Sequence, residues 1–218
     1  MSASESSVAY YPVPNHFEPS RYYRVDVKTG VTRTSTGTKV CTLSSEALRG
    51  LYVGLKEEAG PAWRLILRRC GQTWGTRLTR RFFAEIEGFY GESLEQMSMG
   101  RFTALLEEWF ATSGWGRVRF DYSAIDHGLL QVVVQNDVFA EVLADVDEHG
   151  GVLMEGLLTA LFSELVGRKM AAYQTESVAS GAHDSRFLIG TATRLKPVLA
   201  WIEDRASHSE ILDRLLKA

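Results

Sequence analysis

The sequence GRKMAAYQTESVASGAHDSRFLIG, residues 167–190, has the pattern of two strands joined by a polar connection. Its apolar runs, residues 170–173 and 187–189, are typical of strands in a buried sheet. The connection, residues 174–185, consists mainly of small and polar residues. We therefore predict a strand pair here and expect the rest of the domain to pack on its sheet.

Helical patterns come before this strand pair. Ser44 is a suitable N-cap for a helix ending near Gly60, and Pro61 fits the first turn of a longer helix that reaches about Phe89. Apolar residues recur three or four positions apart along the longer helix and predict one inward face. These residues are Trp63, Leu67, Cys70, Trp74, Leu78 and Phe82. Gly71 and Gly75 border that face, so we expect either a close neighbouring backbone or room for a ligand.

The remaining patterns complete an α+β fold. We predict helices over residues 99–112, with Trp109 and Phe110 inward, and over residues 152–166. Strands are expected at residues 118–122 and 129–135, and two helices at residues 193–205 and 209–216. Amphipathic helices packed on a mostly antiparallel sheet, with a small N-terminal β addition, are the predicted architecture.

The domain organisation follows from the same patterns. Residues 1–20 contain Pro12, Pro14 and Pro19 and no periodicity, so we expect a flexible arm. Residues 21–43 are predicted as a β-hairpin extension and residues 44–192 as the main ligand-binding domain. Residues 193–218 are predicted as C-terminal helices packed on that domain.

Composition limits the function classes. The net charge is -3 and the pI about 6.0, which gives no indication of nucleic-acid binding. The two cysteines, Cys41 and Cys70, do not form a disulfide framework, so we expect a cytoplasmic protein, with a location at the edge of a membrane complex left open. No run of about 18 apolar residues is present, so we expect no membrane-spanning helix.

No motif for a nucleotide or for an H-E-x-x-H metal site is found. Cys70 is predicted on the inward face, either as a small core residue or as a thiol lining a pocket. The aromatic residues are either ordinary core or the lining of a site for a planar ligand.

Four short patterns resemble the 4-vinyl reductase domain family, which is related to a core subunit of the TRAPP trafficking complex. They are Gly71-x-x-x-Gly75-x-Arg77-Leu78, Gly114-Trp115-Gly116-Arg117-Val118, Gly156…Leu165-x-Gly167-Arg168 and Gly181-x-x-x-Ser185-Arg186-Phe187. The resemblance covers about residues 48–190. It implies helices on an antiparallel sheet, a homodimer formed through helices, and binding of small hydrophobic molecules, including tetrapyrroles in pigment synthesis and photosystem assembly.

The sequence departs from that family at the strand pair. Many relatives carry Glu-x-x-Cys-x₇-Cys there as zinc ligands, whereas this chain has Gln174, Ser177 and Ser185. Amide and hydroxyl groups are poor zinc ligands beside thiolates and carboxylates. We predict no zinc, and expect these side chains to hydrogen-bond one another and the turn backbone.

The leading hypothesis is a non-catalytic protein that binds a hydrophobic or planar ligand, with a tetrapyrrole such as a bilin or chlorophyll precursor as the candidate. It would act as a carrier or assembly factor. The ligand would lie between the long helix and the sheet. The predicted ligand-binding residues are Cys70, Trp74, Leu78, Trp109 and Phe110.

Two alternatives stay open. One is a scaffold protein whose pocket is filled by its own side chains and whose protein partner binds the N-terminal arm. The other is a reductase for a tetrapyrrole side chain that uses an external reductant, with Cys70 or an acid such as Asp121 taking part.

Overall fold

A computed structural model describes residues 15–145 and 150–217 of the chain. The helices are α1 Pro19–Tyr22, α2 Ser45–Ala59, α3 Trp63–Tyr90, α4 Met99–Thr112, α5 Val138–Glu141, α6 Val152–Val166, α7 Val198–Glu203 and α8 His208–Lys217. The strands are β1 Tyr23–Asp26, β2 Val31–Thr34, β3 Lys39–Val40, β4 Arg117–Asp121, β5 Leu129–Gln135, β6 Met170–Glu176 and β7 Ser185–Thr191. No helix in these described ranges is both long and apolar enough to cross a membrane.

Local capping sets several helix ends. The Ser44 hydroxyl accepts a hydrogen bond from the Ala47 amide at 3.3 Å, so it satisfies a free amide in the first turn of α2. Gly91, with φ of 66°, ends α3 in the left-handed conformation that glycine adopts without strain. The long helix starts at Trp63 rather than Pro61 because residues 60–62 form a short 3₁₀ turn.

The central sheet has four strands in the order β4-β5-β7-β6, and every neighbouring pair is antiparallel. β1, β2 and β3 form a separate antiparallel sheet near the N-terminus. The predicted α+β class, with helices on an antiparallel sheet and a small β addition, is therefore confirmed.

Helices cover both faces of the central sheet. α3, α4 and α6 supply most of the main core, which includes Val132 and Phe187 from the sheet. On the opposite face, Ile211 and Leu215 of α8 pack in one cluster with Leu188. The first helix of the C-terminal pair begins after Pro197, later than predicted, because residues 192–197 form turns.

Small residues allow α3 and α6 to cross at very short range. A Cβ added at Gly71 would lie 2.2 Å from the Leu153 carbonyl oxygen, and one at Gly156 would lie 2.3 Å from the Arg68 carbonyl oxygen. Contacts this short leave no room for any side chain at these positions. The close-backbone explanation for the glycine pair is therefore confirmed, and that space is not available to a ligand.

The N-terminal module, defined here as residues 15–40, consists of α1 and the small sheet. Tyr10 and Tyr11 of the predicted arm lie outside the described residues. From Asn15 onward the chain packs against the body, with Phe17 fully buried and Tyr22 1% exposed.

Candidate functional site

An aromatic cluster lies at the centre of the main core, between α3 and α4. Trp109 is stacked on Phe82, with ring centroids 4.6 Å apart, and its edge meets Phe110 at 5.8 Å. Leu78, one turn before Phe82 on α3, is buried in the same core. The rings touch directly, so side chains of the protein itself fill this part of the core.

Trp115 forms one wall of the cluster. Its ring lies edge-on to Trp74 at 4.9 Å, to Trp109 at 5.4 Å and to Phe110 at 5.4 Å. A Cβ added at the following residue, Gly116, would lie 2.6 Å from the Gln135 carbonyl oxygen of β5. Because β5 presses on this loop, Trp115 is held in place.

Phe17 of the N-terminal module closes the cluster from another direction. Its ring stacks on Phe82 at 5.5 Å and lies 6.4 Å from Trp109. The Thr112 hydroxyl donates a 2.6 Å hydrogen bond to the Phe17 carbonyl oxygen. A residue far away in sequence therefore completes the core around Trp109.

The indole nitrogen of Trp109 is an exception to the otherwise apolar chemistry of this cluster. The side chain is 1% exposed, and no acceptor for Nε1–H exists among residues 15–145 and 150–217. A buried donor left without an acceptor costs about 1–3 kcal/mol. The cluster thus offers an unused hydrogen-bond donor inside an aromatic environment.

Four of the five predicted ligand-binding residues belong to this region. Leu78, Trp109 and Phe110 are buried, and the partly buried Trp74 joins them through Trp115. The inward placement of Cys70 is wrong, because its side chain is exposed. The buried face of α3 runs through Gly71 and Gly75 instead, since it follows the glycines that contact α6 rather than the nearby apolar side chains.

Cys70 lies on an open groove along the outer side of α3. Six residues of that helix line the groove, which has a volume of about 580 Å³: Ile66, Arg69, Cys70, Thr73, Trp74 and Arg77. Asp121, the acid suggested for a reductase, accepts hydrogen bonds from Gln131 Nε2 at 3.2 Å and the Ser123 amide at 2.8 Å.

A buried carboxylate, Glu85, fastens the N-terminal module to α3. It accepts hydrogen bonds from the Tyr22 hydroxyl at 2.9 Å and the Thr36 hydroxyl at 2.7 Å, and His16 Nε2 lies 3.3 Å from it. Arg81 Nε lies 3.4 Å away on the same helix. Three separate parts of the module therefore converge on one side chain.

These contacts decide the protonation of Glu85. Burial alone would raise the pKa of its carboxyl, but the hydrogen bonds from His16, Thr36 and Tyr22 and the charge of Arg81 bring the pKa below its ordinary value. The carboxylate is therefore ionised at neutral pH.

The polar side chains of the hairpin between β6 and β7 pair with each other as predicted. Gln174 Nε2 donates to the Ser185 hydroxyl at 3.2 Å, and Gln174 Oε1 accepts from the Gly151 amide at 3.0 Å. Ser177 accepts a 3.2 Å hydrogen bond from the Ala179 amide in the turn. All three side chains are at most 2% exposed, so the predicted hydrogen bonding is confirmed.

This donor set does not fit a zinc ion. The groups are an amide and two hydroxyls that already use their hydrogen-bonding capacity on protein atoms. Among residues 15–145 and 150–217, no three His, Cys, Asp or Glu side chains are grouped so as to hold a metal ion.

Asp137 lies beside this hairpin and caps α5. Its Oδ1 accepts from the Phe139 and Ala140 amides at 3.2 and 3.3 Å, while Oδ2 has no donor within the described parts of the chain. Burial raises the pKa of the carboxyl to about 6, although the nearby Ser185 hydroxyl and the two capping amides oppose the shift. Because the side chain is fully buried, water cannot solvate the negative charge on Oδ2.

Sequence reasoning missed Glu85 and the role of Trp115. Phe17 belongs to the predicted arm, where an aromatic side chain could pin the arm to the body, and the structure places it fully buried in the core. The Gly-Trp-Gly pattern around Trp115 was a usable signal, because glycines on both sides of a large ring indicate a tightly shaped loop.

Solved structures similar to this chain include the phenol-responsive sensory domain of the transcription activator PoxR, crystallised with phenol. It has 18% sequence identity and a TM-score of 0.66, over 84% of this chain and 92% of that one. Subunit 3 of the trafficking protein particle complex from Naegleria fowleri, covalently bound to palmitic acid, has 14% identity and a TM-score of 0.49, over 67% and 93%. A vinyl-4-reductase family protein from Methanocaldococcus jannaschii has 15% identity and a TM-score of 0.40, over 67% and 87%.

The similarity to the PoxR domain shows a shared fold. No protein family model and no curated protein matches the sequence.

Proposed function

We propose that this protein is a non-catalytic binding domain for a small aromatic ligand that carries a hydrogen-bond acceptor. The ligand would lie beside Trp109 in the aromatic core. The unpartnered Nε1–H of Trp109 carries the proposal, because an acceptor on the ligand would remove the cost of a buried free donor. The shared fold with a domain that was crystallised with phenol supports the same ligand class.

Each lining residue has a separate role in this proposal. Trp109 donates the hydrogen bond and offers a ring face, Phe110 and Leu78 supply apolar walls, and Trp115 with Trp74 closes the side toward solvent. Aromatic rings in edge or offset contact add about 0.5–1.5 kcal/mol beyond the burial of their area. Cys70 is not part of this lining, because it is exposed on the outer side of α3.

The packing of the cluster favours a ligand of one ring over a tetrapyrrole. Trp109 contacts Phe17, Phe82, Phe110 and Trp115 directly, so a ligand must take the place of a side chain. Exchanging one phenyl ring for one ligand ring conserves volume, whereas adding volume to a packed core costs about 1–3 kcal/mol or more.

The test compares phenol with toluene, which has a similar size but no acceptor. Isothermal titration calorimetry on the wild-type protein should show phenol binding about two- to tenfold more tightly, in line with the net value of one hydrogen bond. The Trp109→Phe variant should lose this preference while still binding both compounds.

The matched control is Trp201→Phe, because Trp201 packs on the opposite face of the sheet with the C-terminal helices. It should keep the preference for phenol. Failure of both phenol and toluene to bind the wild-type protein at millimolar concentration would contradict the proposal.

A second candidate function is a scaffold protein with a self-filled core, favoured by the direct ring contacts around Trp109. In that case the N-terminal module would carry the partner-binding surface. Deleting residues 1–42 does not test this cleanly, since it removes Phe17 and Tyr22 from the main core. Substituting an exposed module residue, such as Val27→Asp, is the better test: partner capture should be lost while the unfolding midpoint is unchanged.

The family resemblance further leads us to propose a homodimer formed through helices. Sedimentation velocity at micromolar concentration should give about twice the chain mass of 24.3 kDa.

A further inference from the structure

Few buried residues hold the N-terminal module on the body. Only His16, Phe17, Tyr22 and Thr34 of its described residues are buried, while Val25 is 66% exposed. Sheets this small need a packed hydrophobic face to be stable in water. The structure of the module therefore depends on its docking.

The docking contacts are concentrated at two points. One is Glu85, which receives the polar side chains of the module, and the other is Phe17, which fills the aromatic core. Beside them a cleft of about 380 Å³ runs between the module and α3, with His16 and Glu85 among its lining residues. Solvent therefore already reaches the boundary between the module and α3, although separation would also withdraw Phe17 and Tyr22 from the main core.

Phe17 also occupies the position that a one-ring ligand would need. Its ring is stacked on Phe82 and neighbours Trp109, and its backbone reaches the core from the N-terminal module, with the hydrogen bond from Thr112 holding it to α4. Trp115, by contrast, is fixed by the contact of Gly116 with β5. Of the two rings that close the cluster from loops or termini, Phe17 is therefore the one that can leave.

We infer that the N-terminal module is an intramolecular competitor of the ligand: Phe17 occupies the site in the free protein, and ligand binding releases residues 15–40. This inference rests on the proposed function, because it concerns the regulation of the same site. Release would undock the exposed sheet formed by β1, β2 and β3 whenever the buried site holds a ligand. A partner protein that binds this sheet could therefore respond to the ligand.

Hydrogen exchange of the wild-type protein tests this directly, with phenol as the probe. The backbone amides of Tyr23–Asp26 and Val31–Thr34 should exchange faster at saturating phenol, since the undocked sheet is not stable alone. Amides of β5 and β7 should exchange at the same rate or more slowly. Unchanged or slower exchange in the module at saturation would overturn the inference.

Variants at Phe17 supply the second measurement. If the docked module blocks the site in about 90% of molecules or more, removing the Phe17 ring should tighten phenol binding about tenfold or more. Phe17→Ala and the milder Phe17→Leu should both show this effect, in that order of size. Phe102→Ala is the matched control: Phe102 also packs on Phe82, but it belongs to α4 and leaves the module docked.

The outcomes separate this inference from the proposed function. Phenol binding to the wild type without tightening in Phe17→Ala overturns the inference and leaves the proposed function standing. Binding to Phe17→Ala but not to the wild type would mean that the ligand cannot displace Phe17, which overturns the release of the module together with the proposed function. Binding to neither protein overturns both.

Discussion

Glu85 and Asp137 are both buried carboxylates at the edge of the main core, yet their pKa values shift in opposite directions. The pKa of Glu85 is lowered because several donors converge on the carboxylate. The pKa of Asp137 is raised to about 6 because burial outweighs two amides and one nearby hydroxyl. Burial is unfavourable for both charges and each carboxylate has three hydrogen-bond donors, but Glu85 also lies beside the positive charge of Arg81, whereas Asp137 is more deeply buried and lies near the negative charge of Glu141.

The comparison separates two ways of fastening a segment to a core. At Glu85, ionisation holds the N-terminal module in place through His16, Tyr22 and Thr36. At Asp137, Oδ1 caps α5, whereas Oδ2 receives no hydrogen bond from the described parts of the chain. Substitutions that keep the shape but remove the charge should therefore have opposite effects at the two sites.

The largest effect is expected for Glu85→Gln. The amide nitrogen would face groups that are themselves donors, so the variant should lose about 2–4 kcal/mol of unfolding free energy. Urea unfolding at pH 7 measures this, with Glu57→Gln on the exposed face of α2 as the control. An unfolding midpoint equal to that of the wild type would show that Glu85 does not hold the module.

Asp137→Asn should change stability in the other direction. The amide oxygen keeps the cap on α5, while the buried charge disappears. Because the pKa rises from 3.8 to about 6, and one pKa unit corresponds to about 1.4 kcal/mol, the variant should gain roughly 1–3 kcal/mol at pH 7.5.

The same urea titration at pH 4.5 supplies the control for Asp137→Asn, since Asp137 is then largely protonated in the folded state and the gain should fall to less than half of its value at pH 7.5. Asp137→Ala removes the cap and should instead lose about 1 kcal/mol. Destabilisation by the asparagine variant at pH 7.5 would contradict the account of this site.

The unfolding free energy of the wild-type protein should depend on pH through both Glu85 and Asp137. Glu85 has a lowered pKa in the folded state, so its contribution is present above its ordinary pKa and is lost as the pH falls through the folded value, below 4.5. Asp137 has a raised pKa, so its penalty is full above about pH 6 and is relieved between pH 6 and 4.

Hydrogen exchange resolves the two regions during acidification. Between pH 7 and 5, protection around α5 should rise while the N-terminal module stays docked on the ionised Glu85, which is faced by His16 and Tyr22 of the module and by Arg81 of α3. The module should be released only when the pH falls through the lowered pKa of Glu85. Release of the module already at pH 6 would contradict the assignment of docking to the Glu85 carboxylate.

The smallest effect is expected in the hairpin between β6 and β7, where Gln174 and Ser185 are joined by a hydrogen bond between neutral groups. A double-mutant cycle with Gln174→Ala and Ser185→Ala should give a coupling of about 0.5–1.5 kcal/mol for their 3.2 Å hydrogen bond. A coupling near zero would mean that the two side chains act independently.

Local patterns were sufficient to predict much of the fold. The bounds of Met99–Thr112, Leu129–Gln135 and Val152–Val166 agree with the structure, because long periodic segments with clear caps are determined by their own residues. The α+β class followed from the order of these elements.

The candidate site was predicted only in part, because its closure depends on contacts between distant residues. Trp109 and Phe110 were found from helical spacing, but Cys70 was misplaced since the glycines on α3 face α6. Phe17 and Glu85 could not be connected from the sequence, because the side chains of the N-terminal module that meet Glu85 are 49 to 69 positions away.

The central claim is that an acceptor on an aromatic ligand uses the free indole hydrogen of Trp109. The most direct test is an NMR titration with phenol that observes the indole Nε1–H signals, with the Trp109 signal assigned through Trp109→Phe. The account predicts that this signal moves downfield on saturation, whereas the Trp201 signal stays unchanged. Two results would contradict the account. In one, phenol binds but the Trp109 signal does not move; in the other, phenol does not bind to the protein.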